Sequence, residues 1–309
     1  MKDHTGKLDL TATSDMRGKV CLVTGATDGH GRAVAEGLAG MGAEVILLGR
    51  NPEKCRSVAR AIGEECGGRM PDTLLCDLSQ RREIDRAASE FLASGRPLHL
   101  LVNNAGIVNL RRRENADGIE MTFAVNYLAY FQLALRLLER MQESAPARIV
   151  NVASDAHRSV SLNLDDLEST RRYSVMRAYG LSKMAILSFT RELARRLEDT
   201  GVTANAVDPG PVASGIGSNN PGLAYSLASL MIKYLFPSAK RAARTALCLA
   251  TSPEVADESG AYYKFGTRRT PRADATDAEL ASRLWEISAR MTGVDLPMPS
   301  CAPGKPEAP

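Results

Sequence analysis

Short apolar runs alternate with segments of helical periodicity along most of the chain. Arg32–Met41 has apolar residues at helical spacing, and it lies between two apolar runs, Lys19–Thr24 and Ala43–Leu48. This order predicts strand, helix, strand. The same alternation continues, and it predicts further strands and helices. The strands are Leu74–Leu75, Leu98–Val102, Arg148–Val152, Val202–Val207 and Gly260–Phe265, and the helices are Arg81–Ala93, Met121–Gln142, Arg177–Leu197 and Ala239–Ala250.

Strands that are apolar throughout indicate a parallel sheet whose two faces are both covered by crossover helices. The 309 residues fit one domain with a single large core, and no repeat or second core is visible. The predicted fold class is therefore α/β: a single-domain, Rossmann-type doubly wound parallel sheet with flanking helices. We expect a polar N-terminal extension at 1–17, the folded domain at 18–294 and a disordered, proline-rich tail at 295–309.

The charge balance excludes some partners. The 39 basic and 36 acidic residues leave a formal charge of +3, which offers no general attraction for nucleic acid. The dense basic run Arg111–Arg113 is interpreted as a solvated loop, with an anionic partner or substrate group as the alternative. No Cys/His cluster has the spacing of metal ligands, so no metal is expected.

The N-terminal residues are polar and lack the apolar core of a secretory signal, so we expect a cytoplasmic protein. The most lipid-like stretch, Gly222–Phe236, is shorter than the ~20 residues of a membrane span and contains Lys233. No transmembrane anchor is predicted.

A glycine-rich loop follows the first predicted strand. Gly25, Gly29 and Gly31 lie between that strand and the first helix, where missing Cβ atoms allow the backbone to approach a pyrophosphate at the helix N-terminus. The spacing Gly-x-x-x-Gly-x-Gly differs from the commoner Gly-x-Gly-x-x-Gly pattern. The alternative interpretation is an ordinary tight turn.

The end of the second strand selects between two nucleotides. An enzyme that uses NAD usually has Asp or Glu there for the ribose hydroxyl, whereas this chain reads Leu48-Gly49-Arg50-Asn51. The planar guanidinium of Arg50 suits a 2′-phosphate, so NADP(H) is favoured over NAD(H). Asp77, after the third strand, has two possible roles. It either caps a turn and also contacts adenine, or it only caps the turn.

Three polar residues form the candidate reacting group. Tyr179 and Lys183 are four residues apart on a predicted helix, so they share one face, and a nearby ammonium is expected to lower the tyrosine pKa toward neutrality. Ser154 ends a strand at the sheet edge where ligands bind. A Ser154–His157 nucleophile pair is disfavoured because no Gly-x-Ser-x-Gly turn surrounds the serine.

These motifs together resemble the classical short-chain dehydrogenases/reductases, and within them the retinol-dehydrogenase-like group. The resemblance covers about Gly18–Val294. It rests on the glycine loop, Asn103-Asn104-Ala105-Gly106, Phe123-Ala124-Val125-Asn126, Asn151-Val152-Ala153-Ser154-Asp155-Ala156-His157, Tyr179 with Lys183, Ser259-Gly260-Ala261-Tyr262-Tyr263 and Ala281-Ser282-Arg283-Leu284-Trp285.

The resemblance implies an NADP(H)-dependent oxidoreductase that interconverts a lipophilic ketone or aldehyde and its alcohol. Hydride would pass between nicotinamide C4 and the carbonyl carbon, with Tyr179 exchanging the proton and Ser154 orienting the oxygen. Lys183 would also bind the nicotinamide ribose, and Asn126 would hold a relay water. The implied cofactor contacts are Gly25, Thr27, Asp28, Gly29, His30, Gly31, Arg50, Asp77, Leu78, Asn104, Ala105, Gly106, Tyr179, Lys183, Pro209, Gly210, Val212 and Ser214.

The chain also departs from the family pattern. His30 replaces the usual aliphatic residue, and Ser214 stands where Thr is common. Residues 211–238 have near-helical apolar spacing, which fits either a substrate lid or ordinary packing. Two alternatives stay open: a non-catalytic NADP-binding sensor or scaffold, and a polyketide or steroid ketoreductase. The long helices resemble the family's dimer surface, so a homodimer or homotetramer is expected.

Overall fold

Eight strands form one sheet in the order β3-β2-β1-β4-β5-β6-β7-β8. The computed structural model describes residues 7–11, 14–67, 69–211 and 238–294. All neighbouring strands are parallel except the last pair, β7 and β8. The predicted fold class is confirmed. The strands are β1 (Val20–Thr24), β2 (Glu44–Gly49), β3 (Asp72–Leu75), β4 (Leu100–Asn103), β5 (Ala147–Val152), β6 (Val202–Asp208), β7 (Tyr262–Lys264) and β8 (Thr267–Arg269).

Helices cover both faces of the sheet and divide the core into two apolar layers. Successive side chains of a strand point to opposite faces, so Leu22 enters one layer while Cys21 and Val23 enter the other. The helices among the described residues are α1 (Gly29–Gly40), α2 (Pro52–Glu65), α3 (Arg81–Ala93), α4 (Ala129–Glu143), α5 (Val175–Arg196), α6 (Ala239–Thr251) and α7 (Ala278–Thr292). The layer that contains Leu22 includes buried residues of α3, α4, α5 and α7, and the other layer includes those of α1, α2 and α6.

Apolar periodicity does not predict helix α2, although the sequence contains signals for the start of this helix. The Asn51 side chain accepts a hydrogen bond from Lys54 N at 2.9 Å, and Pro52 occupies the first turn. Both features are typical of helix N-termini. The apolar face of α2 is narrow, with Cys55, Val58, Ala59 and Ile62 buried among charged neighbours.

The predicted continuous helix Met121–Gln142 is interrupted near its start. A short turn, Met121–Phe123, leads into a π-helical turn, Ala124–Leu128, before α4 begins. Such turns insert one extra residue into the helical hydrogen-bond pattern and often occur at functional sites. Asn126 lies in the middle of this one.

Helix α7 packs on α4 and α5 and closes the core on that side. Trp285 contacts the rings of Phe131 and Phe189, with centroid distances of 5.0 and 5.8 Å. As a result α5 is buried on all sides from Gly180 to Thr190 within the single chain. The surface on which a homodimer or homotetramer was predicted is therefore largely covered by the chain itself, and oligomerisation stays a prediction.

Part of the N-terminal segment adds to the sheet at its β8 edge. Leu8 is buried, its backbone N donates to Gly266 O at 2.9 Å, and Lys7 forms an antiparallel bridge with Thr267. Within the described ranges, no helix has the length and apolar character needed to cross a membrane.

Candidate active site

A cleft of about 990 Å³ opens along the carboxyl edge of the sheet. Residues that follow six strands, β1 to β6, line it together with the last residue of β7. In an open parallel sheet this edge is the usual place for a ligand, because the loops after successive strands converge there.

Most of the predicted site residues meet in this cleft. Gly29 and Asn126 do not line it, and Val212, Ser214 and most of the proposed lid, 212–237, lie outside the described residues. The predicted residues that line the cleft are Gly25, Thr27, Asp28, His30, Gly31, Arg50, Asp77, Leu78, Asn104, Ala105, Gly106, Ser154, Tyr179, Lys183, Pro209 and Gly210.

The glycine loop is packed tightly against the loop after β4. Gly25 has a φ of +62°, and a Cβ there would lie 2.8 Å from Ala105 Cα. The Thr24 hydroxyl accepts hydrogen bonds from the backbone N of Asn104 and of Ala105, at 2.8 and 3.0 Å, and Asn104 Nδ2 donates to Thr24 O at 2.8 Å. Glycine at position 25 is thus required by protein packing, whether or not a phosphate is bound.

Gly31→Ala is expected to destabilise the protein by about 1–3 kcal/mol, the usual cost of forcing an extra carbon into a packed site. A Cβ at Gly31 would lie 2.2 Å from Asn104 Nδ2 and 2.4 Å from Gly25 O, so backbone must move. The matched control is Gly40→Ala at the end of the same helix, where a Cβ has no neighbour within 4 Å. We expect that control to be neutral or stabilising by up to about 1 kcal/mol. Urea unfolding of both variants measures the difference, and equal stabilities would contradict the packing argument.

His30 is a buried part of the loop's support. Its Nδ1 donates to Asn104 Oδ1 at 2.9 Å, and burial lowers the pKa of the imidazole because the charged form is poorly solvated there. Asp28 caps α1, with its carboxylate accepting from Gly29 N at 2.7 Å. The unusual histidine therefore fixes the Asn104 side chain.

Two cations stand at the end of the cleft next to β2. Arg50 and Lys54 are both exposed and line the cleft, and neither side chain forms an ion pair within the part of the chain that the structure describes. Asp77 accepts hydrogen bonds from Ser79 N at 3.0 Å and from Gln80 Nε2 at 3.3 Å. Burial acts to raise the Asp77 pKa, but these bonds outweigh it and lower the pKa. The capping role proposed for Asp77 is thus observed.

Ser154, Tyr179 and Lys183 meet where β5 ends beside α5. Ser154 lies close enough to the Tyr179 phenol for its side chain to lower the pKa of that tyrosine. Lys183 is buried, its Nζ donates to Val152 O at 2.7 Å, and that Nζ lies 5.5 Å from the centre of the Tyr179 ring. The three groups therefore form one constellation open to the cleft.

The protonation states differ from the prediction. Burial raises the Tyr179 pKa to about 12; the Ser154 side chain acts to lower this pKa, and the Asp208 carboxylate acts to raise it further. Burial lowers the Lys183 pKa to about 8, which Asp208 partly opposes. The predicted lowering of the tyrosine pKa is wrong for this arrangement, because burial is the largest influence on the Tyr179 pKa and it raises that pKa.

Asn126 lies behind the cleft wall and is fully buried. Its Oδ1 accepts from Ile107 N at 2.8 Å, and its Nδ2 donates to Ile107 O at 3.0 Å and to Ser182 Oγ at 3.2 Å. In this position Asn126 fixes the loop after β4 to helix α5, which carries Tyr179 and Lys183. Its role with a relay water stays a prediction.

The structure connects polar groups to which the sequence alone assigns no role. Asn103 Nδ2 donates to Asn151 Oδ1 at 2.9 Å, and Asn151 Nδ2 donates to Thr190 Oγ1 at 3.0 Å, which links β4, β5 and α5 inside the core. At the cleft edge, Asp155, Asp208 and Lys264 form a charged network. The only sequence signal for this network was the position of each residue at the end of a strand.

His157 is not placed to activate Ser154. Its Nδ1 lies 2.8 Å from the Ser154 backbone O, and its Nε2 accepts from Arg272 N at 3.3 Å. Both ring nitrogens are thus engaged with backbone groups, in agreement with the argument against a hydrolase.

Comparison with known proteins agrees with the family resemblance of the site residues. The family model described as short chain dehydrogenase matches residues 19–221. Retinol dehydrogenase 13 of Homo sapiens is 36% identical over 302 residues, which cover 96% of this chain and 91% of that protein. Retinol dehydrogenase 12 of Mus musculus is 39% identical over 286 residues, which cover 92% of this chain and 89% of that protein.

Solved structures share the fold. An uncharacterised protein from Mycobacterium paratuberculosis is 29% identical and superposes with a TM-score of 0.74, covering 94% of this chain and 99% of its own. A short chain dehydrogenase from Burkholderia cenocepacia J2315, solved in complex with NADP, is 26% identical with a TM-score of 0.65, covering 82% of this chain and 98% of its own.

Proposed function

Since the chain belongs to the short-chain dehydrogenase family, an oxidoreductase family, we propose that it is an NADP(H)-dependent enzyme that interconverts a lipophilic ketone or aldehyde and its alcohol. The observation that carries the proposal is the convergence of Ser154, Tyr179 and Lys183 in a cleft that also contains the glycine loop and Arg50.

The residues of the cleft fit a phosphorylated dinucleotide. Helix α1 begins at Gly29, within the glycine loop, and a helix N-terminus at this position suits a pyrophosphate. The cations Arg50 and Lys54 stand at the end of β2, where Gly49 replaces the carboxylate that an NAD site would use. These two residues would hold the 2′-phosphate, and the NADP complex of the Burkholderia cenocepacia relative supports this choice.

The bound nicotinamide would supply or accept the hydride. Ser154 would hold the substrate oxygen through its hydroxyl, and Tyr179 would donate its phenolic proton to that oxygen as negative charge develops there. Lys183, when protonated, would stabilise the phenolate left behind. A tyrosine with a pKa of about 12 is protonated at neutral pH, so Tyr179 is in the correct form to donate a proton in carbonyl reduction.

A lipophilic substrate is supported by the relatives and by the cleft. Both curated relatives named above are retinol dehydrogenases, and retinol is an apolar alcohol. Ile107, Met121 and Val125 contribute apolar wall to the same cleft. We therefore choose retinaldehyde as the first carbonyl to assay.

NADPH is expected to stabilise the protein more than NADH, and Arg50→Asp is expected to reverse this order. A ligand at 100 times its Kd adds about 2.7 kcal/mol to the free energy of unfolding. The variant removes the guanidinium and supplies a carboxylate for a ribose hydroxyl. The measurement is the melting temperature of both proteins with each nucleotide, followed by turnover of retinaldehyde. Arg60→Asp, in the exposed part of α2 and away from the cleft, serves as the matched control.

The outcomes separate the alternatives. An unchanged nucleotide order in Arg50→Asp would contradict the role of Arg50. Stabilisation by NADPH with no turnover of retinaldehyde or of other ketones and aldehydes would favour the non-catalytic sensor or scaffold. No stabilisation by either nucleotide would overturn the proposed function altogether.

A further inference from the structure

Three charged residues meet where β5, β6 and β7 end. Asp208 is the last residue of β6 and stands in register with Lys264, the last residue of β7. Asp155 follows Ser154 directly after β5. All three line the cleft, and Asp208 is only 3% exposed.

Asp208 connects two turns that belong to the proposed active site. Its Oδ2 accepts from Asp155 N at 2.8 Å, which anchors the backbone directly after Ser154. Its Oδ1 accepts from Gly210 N at 2.7 Å, which anchors the Pro209–Gly210 turn. One buried carboxylate therefore fixes the distance between these turns.

Lys264 supplies the counter-charge. Its Nζ lies 2.6 Å from Asp155 Oδ2 and 3.2 Å from Asp208 Oδ2. The Tyr262 hydroxyl donates to Asp155 Oδ1 at 2.8 Å. Two carboxylates thus share one ammonium inside the cleft, while Arg158, about half exposed, reaches Asp155 from outside at 3.3 Å.

We propose that Asp208 is a positioning residue that joins the Ser154 turn to the Pro209–Gly210 turn, and that its charge, balanced by Lys264, controls the electrostatic field at Tyr179 and Lys183. The proposal rests on the proposed function for its catalytic meaning, but the geometry of the network does not depend on it. Removal of one charge from the network changes the field in a direction that depends on the sign of that charge.

The charges around Tyr179 and Lys183 determine the direction in which each variant shifts their pKa values. The Asp208 carboxylate raises the pKa of both Tyr179 and Lys183, although burial has the larger effect on each. An ammonium at Lys264 acts in the opposite sense. The other titratable or charged groups that face this cluster are His30 on α1, Tyr130 on α4, His157 and Arg158 in the turn after β5, Asp155, and Tyr262 on β7.

Asp208→Asn and Lys264→Gln are therefore expected to shift the pH midpoint of Lys183 labelling in opposite directions. Asp208→Asn removes the negative charge, so the pH midpoint for Lys183 labelling falls by about one pH unit. Lys264→Gln leaves two carboxylates without their ammonium, so the midpoint rises. The measurement is competitive labelling with acetic anhydride across pH, with the Lys183 peptide followed by mass spectrometry. This readout requires no turnover.

Turnover provides the second readout. In the pH profile of retinaldehyde reduction, the alkaline limb should move down in Asp208→Asn and up in Lys264→Gln, in parallel with the labelling midpoints. Glu192→Gln is the matched control, because Glu192 is a buried carboxylate paired with Arg195 and Arg196 at the far end of α5. Neither of its two readouts should move.

The two variants keep the test decisive even if one of them folds poorly. Lys264 is partly exposed and its glutamine can still donate to Asp155, so this variant should fold. Midpoints that move in the same direction, or that stay unchanged in a folded Lys264→Gln, would overturn the proposal. Labelling midpoints that shift in opposite directions without any turnover would support the network and count against the proposed function instead.

Discussion

Tyr179→Phe is expected to lower kcat for carbonyl reduction by about 10²–10⁴-fold, the range usual for loss of a general acid. The phenyl ring keeps the shape of the side chain, but no proton remains to meet the charge that develops on the substrate oxygen. The Ser154 hydroxyl keeps its position as cap of the turn Asp155–Ser159. Binding of NADPH should therefore be unchanged.

The experiment is a steady-state assay with retinaldehyde together with an NADPH titration of the same sample. The matched control is Tyr127→Phe, since the Tyr127 hydroxyl is also buried but bonds Ser288 Oγ at 2.7 Å inside the core. That control should lose about 1 kcal/mol of stability and keep its turnover. Normal turnover by Tyr179→Phe would rule out the tyrosine as proton donor.

Trp285→Ala should destabilise the protein by about 3–5 kcal/mol, the usual cost of deleting a large aromatic side chain from a core. The indole packs against both Phe131 and Phe189, and the Arg196 guanidinium stands over it at 4.2 Å from the ring centre. Loss of the ring removes the contact that holds α7 on α4 and α5. The remaining cavity would be lined by other aromatic rings that cannot close it.

Urea unfolding measures this effect. Met176→Ala is the control, because Met176 is 59% exposed and its loss should change stability by less than about 0.5 kcal/mol. None of the residues that line the cleft belongs to α7, so NADPH should still bind Trp285→Ala under conditions where the variant is folded. A cost below about 1 kcal/mol would show that α7 is held mainly by other contacts.

Local patterns predicted most of the sheet and the reacting residues. β1, β5 and β6 were correctly located because each is a short run of mainly apolar residues, and Ser154 was assigned to the cleft because it follows one of them. The spacing of Tyr179 and Lys183 was enough to place both on one helix face, since helical geometry depends only on neighbours in the chain.

Features that depend on distant packing could not be predicted. Lys264 and Asp155 are 109 residues apart in the chain, and no local pattern indicates that their side chains meet. The raised pKa of Tyr179 follows from burial by several elements, whereas the sequence indicated only the nearby lysine. The requirement for Gly31 likewise has a second cause, the Asn104 side chain, which becomes visible only when β1 and β4 are paired.

The bridge between Lys7 and β8 covers part of a sheet edge, and exposed sheet edges can lead to aggregation. A strand at the edge of a sheet presents unpaired N–H and C=O groups that can recruit another chain. Here the backbone of Leu8 occupies Gly266 O at that edge, and the Leu10 side chain covers the same glycine. The match to the family model begins only at residue 19. The residues that cover this edge, and that are expected to limit association between molecules there, thus lie before the segment that the family model matches.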